Sequence, residues 1–79
     1  MLTEYINAAM RHATYDKLQS GEWYGEISET PGVWATGPTI DATRDELRSV
    51  LEDWILIGVR LGHELPVVDG IDLNVQNVA

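Results

Sequence analysis

The sequence predicts a small α+β domain, in which an antiparallel or mixed sheet of three to four short strands is covered by one long helix. Three observations predict this class. Residues alternate with a period of two from Trp23 to Ser28, a Pro-Gly pair separates two extended runs, and an amphipathic run extends from Ile40 to Leu61. The whole chain, residues 1–79, has the size of one domain with a modest core.

A short helix is predicted before the sheet. Apolar residues near the N-terminus recur at steps of three and four, which places them on one face of a helix, and Thr3 is the expected N-cap. The apolar positions are Leu2, Tyr5, Ile6, Ala9, Met10 and Ala13.

Three strands are predicted to form an antiparallel meander, because their connections are too short for parallel crossovers. They span Ala13–Leu18, Trp23–Ser28 and Val33–Gly37. Gly21 is expected to take a positive φ in the first turn. The second turn contains Pro31-Gly32, which is typical of a type II turn.

The long helix has clear boundary signals. Thr39 is the expected N-cap, Asp41 suits the positive end of the helix dipole, and Gly62 is the expected stop. Apolar residues at helical spacing form a stripe that should cover the sheet, with Trp54 as a core residue. The stripe consists of Leu47, Val50, Leu51, Trp54, Ile55, Gly58 and Leu61.

The second half of this helix is apolar on nearly every side, because Leu56, Ile57 and Val59 lie outside the stripe. We expect this part to contact the first helix, a second subunit or a partner protein. After Pro66, the run VVDGIDLNV predicts a fourth extended piece, as one strand or two arms, that pairs within its own subunit or across a dimer. Gln76 to Ala79 are expected to fray.

Thirteen acidic and five basic residues give a net charge of -8, which disfavours direct binding to nucleic acid. The acidity serves either solubility or steering towards a basic partner. The chain is 44% hydrophobic and has no cysteine, so a disulfide cannot supplement its small core. We therefore expect a homodimer or a higher homo-oligomer.

The sequence contains no apolar run of the roughly 20 residues that a membrane helix needs, and the longest run, Trp54 to Val59, includes a glycine. The N-terminus lacks the pattern of a secretory signal. We expect a cytoplasmic protein without a membrane partner.

No residue set predicts catalysis, a metal site or a cofactor site, so we expect no enzyme activity. Asp16 and Glu26 could be neighbours across two strands, but solvent-facing positions explain both carboxylates, and metal sites usually draw ligands from several elements. His12 and His63 each lack a second ligand at metal spacing. The serines lack a nucleophile motif, and the glycines fit no phosphate loop.

Two tryptophans on adjacent predicted strands are ambiguous. Trp23 and Trp34 could pack together across the sheet, or they could lie on an exposed face as anchors for another chain, since aromatic residues are frequent interface hot spots. The candidate partner or dimer interface residues are therefore Trp23, Trp34, Leu56, Ile57 and Val59.

The run EISETPGVWATGPTIDATRDELRSVLEDWI resembles the HicB-like antitoxin family. The shared features are the Pro31-Gly32 turn, the strand from Trp34 to Gly37, the Thr39 cap and the apolar helix stripe. The resemblance implies a partial, degenerate ribonuclease H-like fold with no catalytic role. It also implies an antitoxin of a type II toxin-antitoxin system that neutralises a small basic HicA-like mRNA interferase by direct contact.

Within that family the chain resembles a short stand-alone subgroup without a DNA-binding domain, in which the first helix is an addition to the minimal core. Ala42 stands where the family often has an acidic residue, so the capping box is absent. Two alternatives stay open. One is a stand-alone dimeric regulatory or scaffold protein with no toxin, and the other is a residual metal-dependent nuclease that uses Asp16 and Glu26.

Overall fold

A computed structural model describes residues 2–74 and confirms the predicted α+β class. The described chain forms one three-stranded antiparallel sheet in the order β1-β2-β3, with a helix before it and a long helix after it. The elements are α1 (Leu2–Arg11), β1 (Ala13–Lys17), β2 (Trp23–Ile27), β3 (Trp34–Gly37) and α2 (Ile40–Arg60).

Two tight turns set the register of the meander. Gly21, with φ of 94°, lies in the β1–β2 turn, and Gly32, with φ of 95°, follows Pro31 in the β2–β3 turn. Both glycines adopt the left-handed conformation predicted from the sequence. The resulting register pairs Tyr15 with Gly25, and Gly25 with Ala35.

Helix α2 packs against one face of the sheet, and its first turns lie close to two strand glycines. A Cβ atom on Gly37 would lie 2.8 Å from the Thr43 hydroxyl oxygen and 3.0 Å from the Thr43 backbone nitrogen. A Cβ atom on Gly25 would lie 2.9 Å from the Tyr15 ring and 3.2 Å from a Thr43 methyl carbon. Glycine at both positions therefore allows the start of α2 to reach the sheet.

The predicted boundary signals of α2 are confirmed. The Thr39 hydroxyl accepts a hydrogen bond of 3.0 Å from the Ala42 backbone N–H, and the Thr39 carbonyl accepts one of 2.7 Å from the Thr43 hydroxyl. At the other end Gly62 has φ of 72°, and the His63 N–H donates to the Gly58 carbonyl at 2.8 Å. This is the Schellman arrangement that a glycine stop favours.

The apolar stripe of α2 forms most of its core contacts as predicted. Leu47, Leu51, Ile55 and Gly58 are buried, Val50 and Trp54 are half-buried, and Leu61 is exposed. The buried apolar residues of the whole core are Tyr5, Ile6, Ala8, Ala9, Ile27, Val33, Ala35, Leu47, Leu51, Ile55, Leu65 and Val68.

Helix α1 packs beside α2 and buries Tyr5, Ile6, Ala8 and Ala9. The Arg48 guanidinium of α2 donates to the Asn7 side chain of α1 at 3.1 Å. The prediction of Thr3 as the N-cap is wrong, because the helix already includes Leu2 and Thr3 lies inside its first turn.

The segment after α2 folds back over α1. The Tyr5 hydroxyl donates to the Pro66 carbonyl at 2.6 Å. Val68 and Ile71 form a single bridge around Asp69 and Gly70, whose φ values are 50° and 78°.

Two consecutive positive φ values close a two-residue turn, so the predicted fourth piece is two short arms and adds no strand to the sheet within the described residues. The predicted fraying of Gln76 to Ala79 lies outside the described residues.

His12 connects three parts of the chain. One ring nitrogen lies 2.7 Å from an Asp69 carboxylate oxygen, and the other lies 3.1 Å from a Glu29 carboxylate oxygen. A neutral imidazole has one N–H and can donate to only one of them, whereas the charged form donates to both. The hydrogen bond with Asp69 is the main cause that raises the pKa of His12 above 6.5, although desolvation and, to a smaller extent, the charge of Arg11 oppose the shift.

No helix within residues 2–74 is long and apolar enough to cross a membrane.

We predict that Gly37→Ala lowers the free energy of unfolding by about 1–3 kcal/mol, because the new methyl group must displace the Thr43 backbone. Urea denaturation measures the change. The matched control is Thr36→Ala, an exposed neighbour in the same strand, which should change the free energy by less than about 0.5 kcal/mol. Equal losses in the two variants would contradict the close contact at Gly37.

We predict that the stability of the protein falls as the pH rises above 6.5. The pKa of His12 is raised in the folded state. Its charged imidazole therefore stabilises the fold fully below pH 6.5, and this stabilisation is lost as the pH rises through the raised pKa. The pKa of Asp69 is lowered below 3.8, mainly by its hydrogen bond with His12, so its contribution is lost only in stronger acid.

Thermal unfolding between pH 5 and 9 tests this prediction. His12→Gln should remove the decline above pH 6.5, while His63→Gln, which replaces the other histidine, should keep it. A decline of the same size in His12→Gln would show that another group causes it.

Candidate functional site

The face of the sheet opposite α2 is the first candidate surface. Successive residues of a strand point to opposite faces, so the residues between those that contact α2 point away from it. Tyr24 is half-buried, and the other five residues are exposed. We call this surface the open sheet face, and it consists of Thr14, Asp16, Tyr24, Glu26, Trp34 and Thr36.

An aromatic pair occupies the centre of the open sheet face. The rings of Tyr24 and Trp34 stack with centroids 6.1 Å apart and an angle of 25° between their planes, and Trp34 is 55% exposed. The Tyr24 hydroxyl donates to a Glu26 carboxylate oxygen at 3.2 Å. Desolvation, followed by the nearby charge of Glu26, raises the pKa of Tyr24 above 10 and keeps the phenol a neutral donor.

Two carboxylates lie on the same face as the aromatic pair. Asp16 is directly opposite Tyr24, and Glu26 is directly opposite Thr14. The two acids are therefore diagonal neighbours rather than a directly opposed pair. The strands place no lysine or arginine on this face, so its charge is negative.

The described residues contain no group of three or more His, Asp or Glu side chains that could hold a metal ion. The cluster around His12 does not form such a group, because Asp69 and Glu29 bind to opposite ring nitrogens. Asp16 and Glu26 therefore belong to no such group within residues 2–74.

Of the two alternatives for Trp23 and Trp34, the contact across the sheet is excluded, because the register places the two side chains on opposite faces. Trp34 is paired with Glu26, while Trp23 is paired with Gly37 on the face that α2 covers. Trp23 is half-buried. Only Trp34 of this pair is presented on an exposed surface.

The second candidate surface is the end of α2. Leu56, Ile57 and Val59 are 57%, 55% and 49% exposed, as their positions outside the stripe suggest. A 21-residue helix is about 31 Å long, whereas strands of four or five residues extend only about 13–17 Å. The end of α2 therefore extends beyond the sheet.

The structure separates these three residues. Leu56 and Val59 line an apolar groove between α1 and α2, together with Leu2 and Leu73, while Ile57 lies on another side of the helix. Sequence reasoning missed Leu2 and Leu73 as parts of this groove, and it missed Tyr24 on the open sheet face. The alternation that places Tyr24 on the same face as Glu26 could have identified Tyr24. No such signal identifies Leu73, because its position depends on the turn at Asp69 and Gly70.

Comparison with known proteins identifies the family. A family model described as UPF0150-like matches residues 4–66. The chain belongs to the UPF0150-like family. This family is related to the HicB-like antitoxins, and its match begins inside α1, so the first helix is part of the family domain.

The chain is also similar to a protein of known structure. The crystal structure of TTHA0281 from Thermus thermophilus has 35% sequence identity and a TM-score of 0.90, and the alignment covers 96% of this chain and 95% of that chain. A search of curated proteins finds no match.

We predict that Trp34→Ala lowers the free energy of unfolding by only about 0.5–1.5 kcal/mol, because an exposed ring loses little beyond its stacking with Tyr24. The comparison variant is Ile27→Ala, which empties a fully buried site and should cost about 2–5 kcal/mol. Urea denaturation of both variants measures the difference. A larger loss in Trp34→Ala than in Ile27→Ala would place Trp34 in a core.

Proposed function

We propose that the protein is an antitoxin-type binding protein of a type II toxin-antitoxin system, which neutralises a small basic HicA-like mRNA interferase by direct contact. The observation that carries this proposal is the open sheet face, where the exposed Trp34, stacked on Tyr24, lies among carboxylates and the strands supply no cation. The relation of the UPF0150-like family to the HicB-like antitoxins supports it.

Charge favours a basic protein as the partner. The chain has a net charge of -8, which repels RNA and DNA but accelerates the encounter with a positively charged protein. Asp16 and Glu26 on the open sheet face can pair with arginine or lysine side chains of such a partner. The charge therefore gives this face a preference for a cationic surface.

Trp34 and Tyr24 supply the apolar part of the contact. An exposed tryptophan that is already stacked on a neighbour loses little conformational freedom on binding, and aromatic residues dominate interface hot spots. We infer that Trp34 enters a pocket of the partner while the carboxylates pair with cations around it.

Neutralisation follows from competition for one surface. An mRNA interferase needs cationic side chains to hold the RNA phosphates, and a bound anionic sheet face occupies those side chains. In this proposal the protein needs no enzyme activity, cofactor or contact with nucleic acid, and it acts in the cytoplasm where the messenger RNA is present.

We predict that the purified protein forms a complex with the small basic protein encoded by the neighbouring gene and suppresses its cleavage of RNA. Trp34→Ala and Glu26→Gln should each weaken binding at least tenfold in titration calorimetry, since each removes one element of the open sheet face. The matched control, Asp53→Asn, removes an exposed carboxylate from α2 on the other side of the sheet and should bind like the wild type.

Two results would contradict the proposal. No complex at micromolar concentrations would remove the antitoxin function and leave the stand-alone dimeric regulatory or scaffold protein as the alternative. If Asp53→Asn weakens the complex as much as Trp34→Ala does, the open sheet face is not the binding surface.

A further inference from the structure

We propose that the free edge of β3 pairs with β3 of a second copy of this chain, in an antiparallel register centred on Ala35. The result is a continuous six-stranded sheet in a two-fold symmetric dimer. This inference does not depend on the proposed antitoxin function, because it follows from the hydrogen-bonding pattern of the sheet.

The hydrogen bonds show which backbone groups of β3 point outward. The Ile27 N–H donates to the Val33 carbonyl at 3.2 Å, so these two residues form a hydrogen-bonded pair. Along an antiparallel ladder hydrogen-bonded pairs alternate with non-hydrogen-bonded pairs. In the observed register Ala35 and Gly37 belong to the next hydrogen-bonded pairs. The backbone N–H and C=O groups of Trp34 and Thr36 therefore point away from β2.

These outward groups are available. β3 is an edge strand in the sheet order β1-β2-β3, and no backbone hydrogen bond from Trp34 or Thr36 to another described element of the chain is present. An exposed edge of this kind is a template for pairing with another strand.

The two edges of the sheet differ in their protection. The outward backbone groups of the other edge belong to Ala13, Tyr15 and Lys17, since the Leu18 N–H donates to the Glu22 carbonyl at 2.7 Å and sets the alternation there. A lysine on an edge is a common device against pairing. The segment from Pro31 to Ile40 contains no charged residue at all.

The lack of charge around β3 makes this edge the place where two copies repel each other least. Two molecules that each carry a net charge of -8 repel each other over most of their surfaces. The uncharged segment around β3 lets two copies approach with little local repulsion. Lys17 and the carboxylate of Asp16 would lie at the outer edges of the dimer, far from the contact.

The prolines on either side of β3 leave one favourable register. Pro31 and Pro38 flank the strand and cannot donate a backbone hydrogen bond, so pairing is confined to Trp34–Gly37. A two-fold axis at Ala35 places Trp34 opposite Thr36 of the partner subunit. In this register all four outward groups of each copy are paired, which gives about four hydrogen bonds.

The dimer would join the two open sheet faces. A two-fold axis perpendicular to the sheet keeps both α2 helices on one side and both Tyr24–Trp34 pairs on the other. Trp34 would then lie beside Thr36 of the partner subunit, in the middle of one larger anionic and aromatic surface.

We predict that the wild type is a dimer by sedimentation velocity and that Thr36→Pro raises its dissociation constant at least tenfold. Proline removes the outward Thr36 N–H while every hydrogen bond between β2 and β3 remains. Lys17→Pro is the matched control, because it removes an outward N–H from the other edge, and it should stay dimeric. Circular dichroism checks that both variants are folded.

Cross-linking tests the register itself. The chain has no cysteine, so introduced thiols react without background. In the proposed register Trp34→Cys and Thr36→Cys lie in a hydrogen-bonded pair with Cα atoms about 5.5 Å apart, within reach of a disulfide. Identical positions in the two copies are diagonal neighbours about 7–8 Å apart and should not be bridged. A mixture of the two variants should therefore cross-link, and either variant alone should not.

Three results would overturn the proposal: a wild type that stays monomeric at about 100 μM, a dimer that Thr36→Pro leaves intact, or single variants that cross-link as well as the mixture does. If the wild type is a monomer and Thr36→Pro weakens its binding to the toxin, the edge receives a strand of the toxin instead. A dimer that binds no toxin would uphold this inference and contradict only the proposed function.

Discussion

The close contact between the first turns of α2 and two strand glycines is the constraint on which the rest of the structure depends. Any side chain at Gly25 or Gly37 would overlap atoms of Tyr15 or Thr43. Strand residues alternate between the two faces of a sheet. Once α2 covers Gly25 and Gly37, the orientation of all remaining strand residues is therefore fixed. Trp34 and Tyr24 lie on the open face for this reason, although both are aromatic residues that a core could accept.

A second consequence follows from the difference in length between α2 and the sheet. The helix extends beyond the strands, and the segment after it turns back to cover part of the exposed surface. Leu65 and Val68 are buried in this way, and His12 connects this segment to the β2–β3 turn through Asp69 and Glu29. The small core is thus completed by residues from both ends of the described chain.

The two exposed surfaces differ in their chemistry. The open sheet face combines a stacked aromatic pair with carboxylates, which suits a partner that has both cationic and apolar groups. The groove between α1 and α2 is almost entirely apolar and includes Leu2 and Leu73.

The sequence by itself determined the two helices, the three strands of the sheet, their order and both ends of α2, because these depend on local chemistry. Periodicity located the helices and strands, Thr39 and Gly62 marked the ends of α2, and the Pro31-Gly32 pair marked the second turn. The tertiary structure alone decided which faces meet. The separation of Trp23 from Trp34, the turn of the last segment onto α1, and the partners of His12 depend on register and on contacts between distant residues, which local propensity does not encode.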